Sequence, residues 1–338
     1  MAGEGADSHP LPELTRFAGT GVNQQPTATG TGEADDIGAA IAALADRFGH
    51  AGRIAFEAHA VAPLVELRVG GASARVALNG AQLLGWQPAG EHEVIWVSPD
   101  SAPTPGKSIR GGTPVCWPWF GADTSGFGRP AHGFVRGVPW DVAWSRATAA
   151  ESAIALRYRT TPETTALWPH DAEALLTVSL TADTLTLSLT TTNTGTSPFS
   201  LTQALHTYFA VSDIAGARVD GLDGCGYIDA VGARTRHRQQ GAVTFAGEVD
   251  RIYFDPPGDI VIDDGAGGHR IHINASGSRS AVVWNPWIDK SARLGDMGAD
   301  GYTRMLCVET ANAADDAIAL APGAAHTLTA RYHVTRSR

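Results

Sequence analysis

The run Ala174-Leu-Leu-Thr-Val-Ser-Leu180, the turn Thr181-Ala-Asp-Thr184 and the run Leu185-Thr-Leu-Ser-Leu-Thr-Thr-Thr192 decide the fold. Apolar and small hydroxyl residues alternate on both sides of the turn, which is the period of a half-buried strand. Two such runs joined so tightly form an antiparallel hairpin. The same texture extends outward from it. Leu64–Val69, Ala74–Leu78, Gln82–Trp86, Glu93–Val97 and Ala153–Arg159 precede the hairpin, separated by Gly, Pro or Asn. Asp259–Ile262, Arg270–Ile273, Ala281–Trp284 and His326–His333 follow it. Many short strands, few helical patterns and no internal repeat predict an all-β chain built as one large antiparallel β-sandwich. The last alternating run is expected to close the sheet.

Upstream of the strands the texture differs. Residues 1–34 are rich in Gly, Thr, Pro and acid and are read as a mobile leader. Asp35-Asp36 then opens a short N-terminal helix over 35–50, with Ile37, Ile41, Leu44 and Phe48 on one face and Gly49 to end it. Residues 51–338 form a single domain on this reading.

Composition bounds the function. Of the 338 residues, 43% are hydrophobic and 18% charged, enough for a sizeable core. A net charge of −10 disfavours a nucleic-acid partner, and an anionic substrate would need a few local arginines. Three well-separated cysteines (Cys116, Cys225, Cys307) suit a reducing compartment better than a disulfide framework. With no secretory signal pattern and no apolar run of membrane-spanning length, the expectation is a cytoplasmic protein without a membrane partner. Pro105-Gly106-Lys107-Ser108 is not a mononucleotide loop, because the required earlier glycine is Ser101. No zinc-type spacing and no GxSxG motif occurs, so no metal or cofactor is predicted.

Two apolar runs each carry one ionisable group. His206 sits within Gln203-Ala-Leu-His-Thr-Tyr-Phe209, and Glu309 within Met305-Leu-Cys-Val-Glu-Thr-Ala-Asn312. A strand that reads as buried rarely holds such a group unless something satisfies it, and a His and a Glu together suggest an acid–base pair. His206 taken alone reads rather as a structural histidine hydrogen-bonded in a core. Three further segments are too apolar and aromatic for ordinary solvated loops: Ser108–Gly121, Pro130–Arg136 and Trp284–Ser291. They supply Arg110, beside Gly111-Gly112, and Arg136, two guanidiniums suited to a phosphate or carboxylate. Trp117, Trp119, Trp284 and Trp287 are candidates to line a binding site, or equally to pack in the core.

Six blocks together resemble the glucose-6-phosphate 1-epimerases, the hexose-6-phosphate mutarotase branch of the aldose 1-epimerase superfamily. They are Arg110–Gly121, Ala131–Arg136, Leu205–Phe209, Glu248–Tyr253, Val283–Ile288 and Cys307–Ala311, in family order from Ile54 to Val334. The resemblance implies a galactose mutarotase-like β-supersandwich that interconverts the anomers of a small sugar phosphate without a cofactor. A monomer is expected, because a closed sandwich needs no partner to bury its edges. It implies that His206 and Glu309 are catalytic. Arg110 and Arg136 match the substrate or phosphate arginines, Asp250 a carboxylate that binds sugar hydroxyls, and His132 the His-Gly of the site rim. Some members carry Gln where this chain has Ala131. Three rivals remain: an aldose 1-epimerase acting on unphosphorylated sugars, a non-catalytic sugar binder on the same fold, and, weakest, a polysaccharide-active lyase or hydrolase in which Glu309 and Asp250 would have to be the paired carboxylates.

Overall fold

The computed structural model of the protein describes residues 32–336 apart from 60, 61, 124, 125 and 127. The leader read at 1–34 lies outside the described residues except for its last three positions. These open the helix Gly32–Phe48, which therefore starts three residues before Asp35. Among the described residues no helix is long and apolar enough to cross a membrane.

The hairpin forms as expected. Ala172–Leu180 pairs with Thr184–Asn193, Leu180 opposite Leu185. Ala174, Leu176, Val178, Leu187 and Leu189 turn inward while Thr177, Thr186, Ser188 and Thr190 stay half-buried on the other face. It occupies the middle of a nine-stranded sheet whose order is Val243–Thr244, Arg218–Asp220, Ile260–Asp263, His269–Ser276, Ala325–Arg336, Thr184–Asn193, Ala172–Leu180, Ser152–Arg159 and Asp141–Ala147. The C-terminal strand thus lies between His269–Ser276 and Thr184–Asn193 and joins the two parts of the sheet.

A second, eight-stranded sheet runs Thr235–Arg238, Gly226–Asp229, Val249–Phe254, Ser280–Asn285, Met305–Asn312, Gln203–Leu205 and Val115–Cys116, with Tyr208–Ala210 also paired to Met305–Asn312. A third has four strands, Ile54–Glu57, Leu64–Val69, Ala72–Ala77 and Gln82–Gln87. Strand pairing is antiparallel in all three. Leu176, Leu187, Ile271 and Tyr332 of the nine-stranded sheet share one core with Val249, Val283, Leu306 and Val308 of the eight-stranded sheet and with Leu67, Val76 and Trp86 of the third. This is the large antiparallel all-β architecture that the alternation predicts.

Three segments differ from their sequence reading. Glu93–Val97 is not a strand. It makes only isolated bridges, Ile95 to Phe209 and Val97 to Gly111, because its neighbours approach it one residue at a time. The run around His206 splits into Gln203–Leu205 and Tyr208–Ala210, leaving His206 and Thr207 between them. Trp284–Ser291 is not a loop. Trp284 belongs to the strand Ser280–Asn285, and the helix Trp287–Leu294 follows, entered through a positive φ of 55° at Trp287.

The alternation of Met305–Asn312 sets the location of the site. Leu306 and Val308 enter the main core, so Cys307, Glu309 and Ala311 face away from the nine-stranded sheet. On that outer face Cys307 and Ala311 form a smaller apolar cluster with Tyr208, Ile252, Val282 and Trp284.

Candidate active site

Register brings the two ionisable strands together. Leu205 pairs with Thr310 and Tyr208 with Cys307 in one unbroken register, so His206 falls opposite Glu309. The ladder lapses there because the His206 N–H donates to the Pro114 carbonyl instead, 3.1 Å away. Directly opposed residues of an antiparallel pair share a face with their Cβ atoms about 5 Å apart. Their side chains accordingly meet: His206 Nε2 lies 3.3 Å from Glu309 Oε1. The pair therefore stands side by side, and both groups line one cleft.

The cleft is about 560 Å³ in volume, and Arg110, His132, Arg136, His206, Asp250 and Glu309 all line it. Arg110 donates through Nε to Asp296 at 3.0 Å and through Nη1 to the Tyr208 hydroxyl at 3.2 Å. Burial works against its charge, but Tyr208 and Asp296 outweigh that and push its pKa above the ordinary value. Arg136 donates through Nη2 to the Ala131 carbonyl at 2.6 Å, a contact that needs no side chain at position 131. Gly106, Lys107 and Ser108, rejected as a mononucleotide loop, also line this cleft. Their segment abuts that of Arg136, since a Cβ on Gly137 would lie 2.3 Å from the Gly106 carbonyl oxygen. Lys107 and Arg136 thus approach the cleft from adjoining backbone.

His132 is held by two left-handed residues in succession, itself at φ 62° and Gly133 at φ 78°. Only glycine fits the second position, because an added Cβ would lie 1.8 Å from the Trp117 carbonyl oxygen. Gly133→Ala is expected to cost on the order of 2–4 kcal/mol and to lower activity with it. An unchanged thermal unfolding midpoint would refute that packing argument. The Gly121 N–H donates to His132 Nδ1 at 3.3 Å. Burial, then Arg136 and Arg110, push the His132 pKa down to about 3. A neutral ring that accepts at Nδ1 carries its proton on Nε2, so His132 is a fixed hydrogen-bond donor and not a proton carrier. Its ring meets that of His206 edge-on, centroids 5.6 Å apart.

Electrostatics at the pair move both groups. Glu309 is 1% exposed. Burial, with Asp250 adding to it and Arg136 opposing, pushes its pKa well above 4.5. His206 is pushed well below 6.5 by burial, then by His132, Arg136 and Arg110. Both shifts disfavour the charged forms. Glu309 Oε2 and His206 Nδ1 are buried and have no hydrogen-bond partner among the described residues. Buried polar atoms are normally satisfied, so this carboxylate oxygen is left for a bound molecule to complete.

Of the four tryptophans, only Trp284 lines the cleft. Trp117 is fully buried and donates to Thr191, Trp119 lies under the Arg129 guanidinium, and Trp287 packs on Tyr302. Sequence reasoning missed Tyr208, Lys290 and Asp296. Tyr208 had a signal, since it is two residues from His206 and its ring stacks on the imidazole at 5.0 Å. Lys290 sat unremarked within the Trp284–Ser291 stretch, and nothing local marks Asp296. A second cleft of about 630 Å³ carries Arg236 and Arg279. These are already paired at 2.7 Å with Asp315 and 2.9 Å with Asp255, and no acid–base pair faces it.

The chain is similar to known proteins over most of its length. Residues 63–333, which include all six cleft residues, match the family model described as aldose 1-epimerase. A protein of Escherichia coli K12 named "Putative glucose-6-phosphate 1-epimerase" is 41% identical over 249 residues, 72% of this chain and 80% of its own length. One of the same name from Cenchrus ciliaris is 38% identical over 259 residues, covering 74% of this chain and 78% of its own. The crystal structure of a "putative mutarotase" from Salmonella typhimurium superposes with a TM-score of 0.78 at 32% identity, over 84% of this chain and 94% of that one. The family match over most of the chain, the identity to these relatives and the shared fold together establish that this protein belongs to the aldose 1-epimerase family.

Proposed function

We propose that the protein interconverts the α and β anomers of a hexose 6-phosphate, with glucose 6-phosphate as the reference substrate. The observation that carries this reading is the unpartnered Glu309 Oε2, beside a His206 imidazole 3.3 Å from its sister oxygen, at a cleft also lined by Arg110 and Arg136. Curated relatives with the glucose-6-phosphate name support the substrate class.

Glu309 takes the proton of the C1 hydroxyl as the C1–O5 bond breaks, and His206 gives its proton to O5. The products are an open-chain aldehyde, a protonated Glu309 and a neutral His206. Rotation about C1–C2 presents the other carbonyl face. The O5 hydroxyl then attacks C1 and returns its proton to His206, while Glu309 returns the other to O1. O1 and O5 are borne by one carbon, so an acid and a base side by side suit them. The pair holds one proton throughout and titrates as a unit. The shifts of Glu309 upward and His206 downward favour the protonated carboxyl and neutral imidazole that stand opposite the open chain. His132, a fixed donor beside the pair, supplies a hydrogen bond without competing for that proton.

A cross-strand row sets the length of the site. Asp250 pairs with Trp284, Trp284 with Cys307 and Cys307 with Tyr208, which spans three strand spacings, roughly 14 Å. Arg110 stands at the Tyr208 end of this row and Asp250 closes the other. That separation suits a phosphate at one end and ring hydroxyls at the other.

The test compares anomerisation of glucose 6-phosphate and glucose against their spontaneous rates. Higher kcat/KM on the phosphosugar is expected; equal values would favour the unphosphorylated aldose, and no turnover of either would leave only a binder. Arg136→Ala is expected to raise KM for glucose 6-phosphate about 10–100-fold, the cost of one charge-assisted contact, and that for glucose much less. Equal effects on both sugars would remove the phosphate role of Arg136.

A further inference from the structure

The helix Trp287–Leu294 brings a cation to the far end of the cleft that the mechanism does not use. Lys290 lines the cleft beside Asp250 and Trp284. Its Nζ lies 2.7 Å from Glu248 Oε1, 3.6 Å from Asp250 Oδ2 and 5.9 Å from the centroid of the Trp284 ring. Glu248 immediately precedes the strand Val249–Phe254 and Asp250 is its second residue, and both carboxylates reach the same ammonium.

We propose that Lys290 is a specificity-determining residue, its ammonium donating to the ring hydroxyl next to the one that Asp250 accepts from. The inference rests on the hexose-phosphate reading above. An ammonium has three N–H donors. Glu248 takes one at hydrogen-bonding distance, whereas 3.6 Å to Asp250 is an electrostatic contact and not a hydrogen bond. Donors therefore remain for a ligand, and Glu248 holds the flexible lysine stem in place. Asp250 needs a partner to act as an acceptor. Burial raises its pKa, and Lys290 is the largest influence opposing that rise.

The row geometry selects the hydroxyls. With the 6-phosphate toward Arg110 and C1 at Glu309, the ring edge farthest from C5 carries the 2- and 3-hydroxyls. Lys290 and Asp250 are at that end, three strand spacings from Tyr208. Trp284 lies between them and the acid–base pair, with an apolar ring face for the C–H side of the pyranose.

The experiment measures kcat/KM of the wild type and of Lys290→Met for glucose 6-phosphate, its 2-deoxy and 3-deoxy analogues, and mannose 6-phosphate, which inverts the 2-hydroxyl. Met keeps an unbranched stem over Trp284. The wild type is expected to lose about 10–100-fold on the deoxy analogue that lacks the hydroxyl read by Lys290, because a half-buried donor that the bound sugar covers is then left unpaired. In Lys290→Met that ratio should collapse to within about threefold of unity, through a higher KM for glucose 6-phosphate. Lys290→Arg should restore part of the discrimination. An active wild type whose Lys290→Met form loses the same factor on all four sugars, or on none, overturns the proposal and leaves the anomerase reading intact. A wild type no faster than spontaneous mutarotation overturns both.

Discussion

Glu309→Gln is expected to reduce kcat for anomerisation by about 10³–10⁴-fold while making the protein more stable. The activity loss follows from the general-base role, since an amide cannot take the C1 proton and acid–base groups contribute about 10²–10⁴-fold. The stability gain follows from linkage. Burial raises the folded-state pKa of Glu309 above its ordinary 4.5, so the native state holds a proton that the unfolded chain has released. The stability tied to that proton is present in full below about 4.5 and is lost as pH rises toward and through the raised folded value. Gln carries no such charge. The variant's advantage should therefore be absent near pH 4, grow as pH rises from there and level off above the raised folded value. Thermal unfolding as a function of pH measures it. A wild-type rate, or a stability difference that does not vary with pH, would contradict the placement of an unsatisfied carboxylate in this strand.

His206→Asn is the second large effect, a fall of about 10²–10³-fold in kcat with a changed pH profile. The wild-type rate requires the pair to hold a single proton. It should fall at low pH, when the pair gains a second proton, and at high pH, when it loses the first, giving a bell. Without the imidazole only the carboxylate remains to titrate. The residual rate should then rise with pH to a plateau, as Glu309 ionises. Asn holds much of the imidazole's position without its proton chemistry, so KM is expected to move far less than kcat. A bell that survives in His206→Asn, measured against the spontaneous rate at each pH, would assign the alkaline limb to another group.

The legible and illegible parts of the protein divide along physical lines. The hairpin at 172–193 was legible because alternation is local: each side chain's face follows from its neighbours two residues away. Glu309 stood out because a carboxylate within an apolar strand is expensive whatever the fold, and it is 1% exposed. The role of the tryptophans was not legible. Trp117 and Trp284 occur in similar aromatic stretches, but Trp117 lies in the main core and Trp284 on the outer face of the eight-stranded sheet. Which face a strand turns outward is decided by what packs on it. The Trp284–Ser291 stretch misled for a related reason. Its Asn-Pro-Trp sequence marks a turn, and the helix that follows is only eight residues long and contacts the segment 301–304. Lys290 acquires its place from that helix.

By itself the sequence determined the class of fold, through alternation repeated along most of its length, and the kinds of group present, a buried carboxylate, an imidazole and two arginines near glycines. Tertiary structure alone decided that these groups share a cleft. His206 and Glu309 are about a hundred residues apart, and a slip of one residue in their strand pairing would turn one of them to the opposite face. That register is set by the pairings and packing on either side of the break at His206 and Thr207, and it brings the two side chains within 3.3 Å. Both pKa shifts follow from that burial, because the cost of a charge depends on what surrounds it in space and not on its neighbours in the chain.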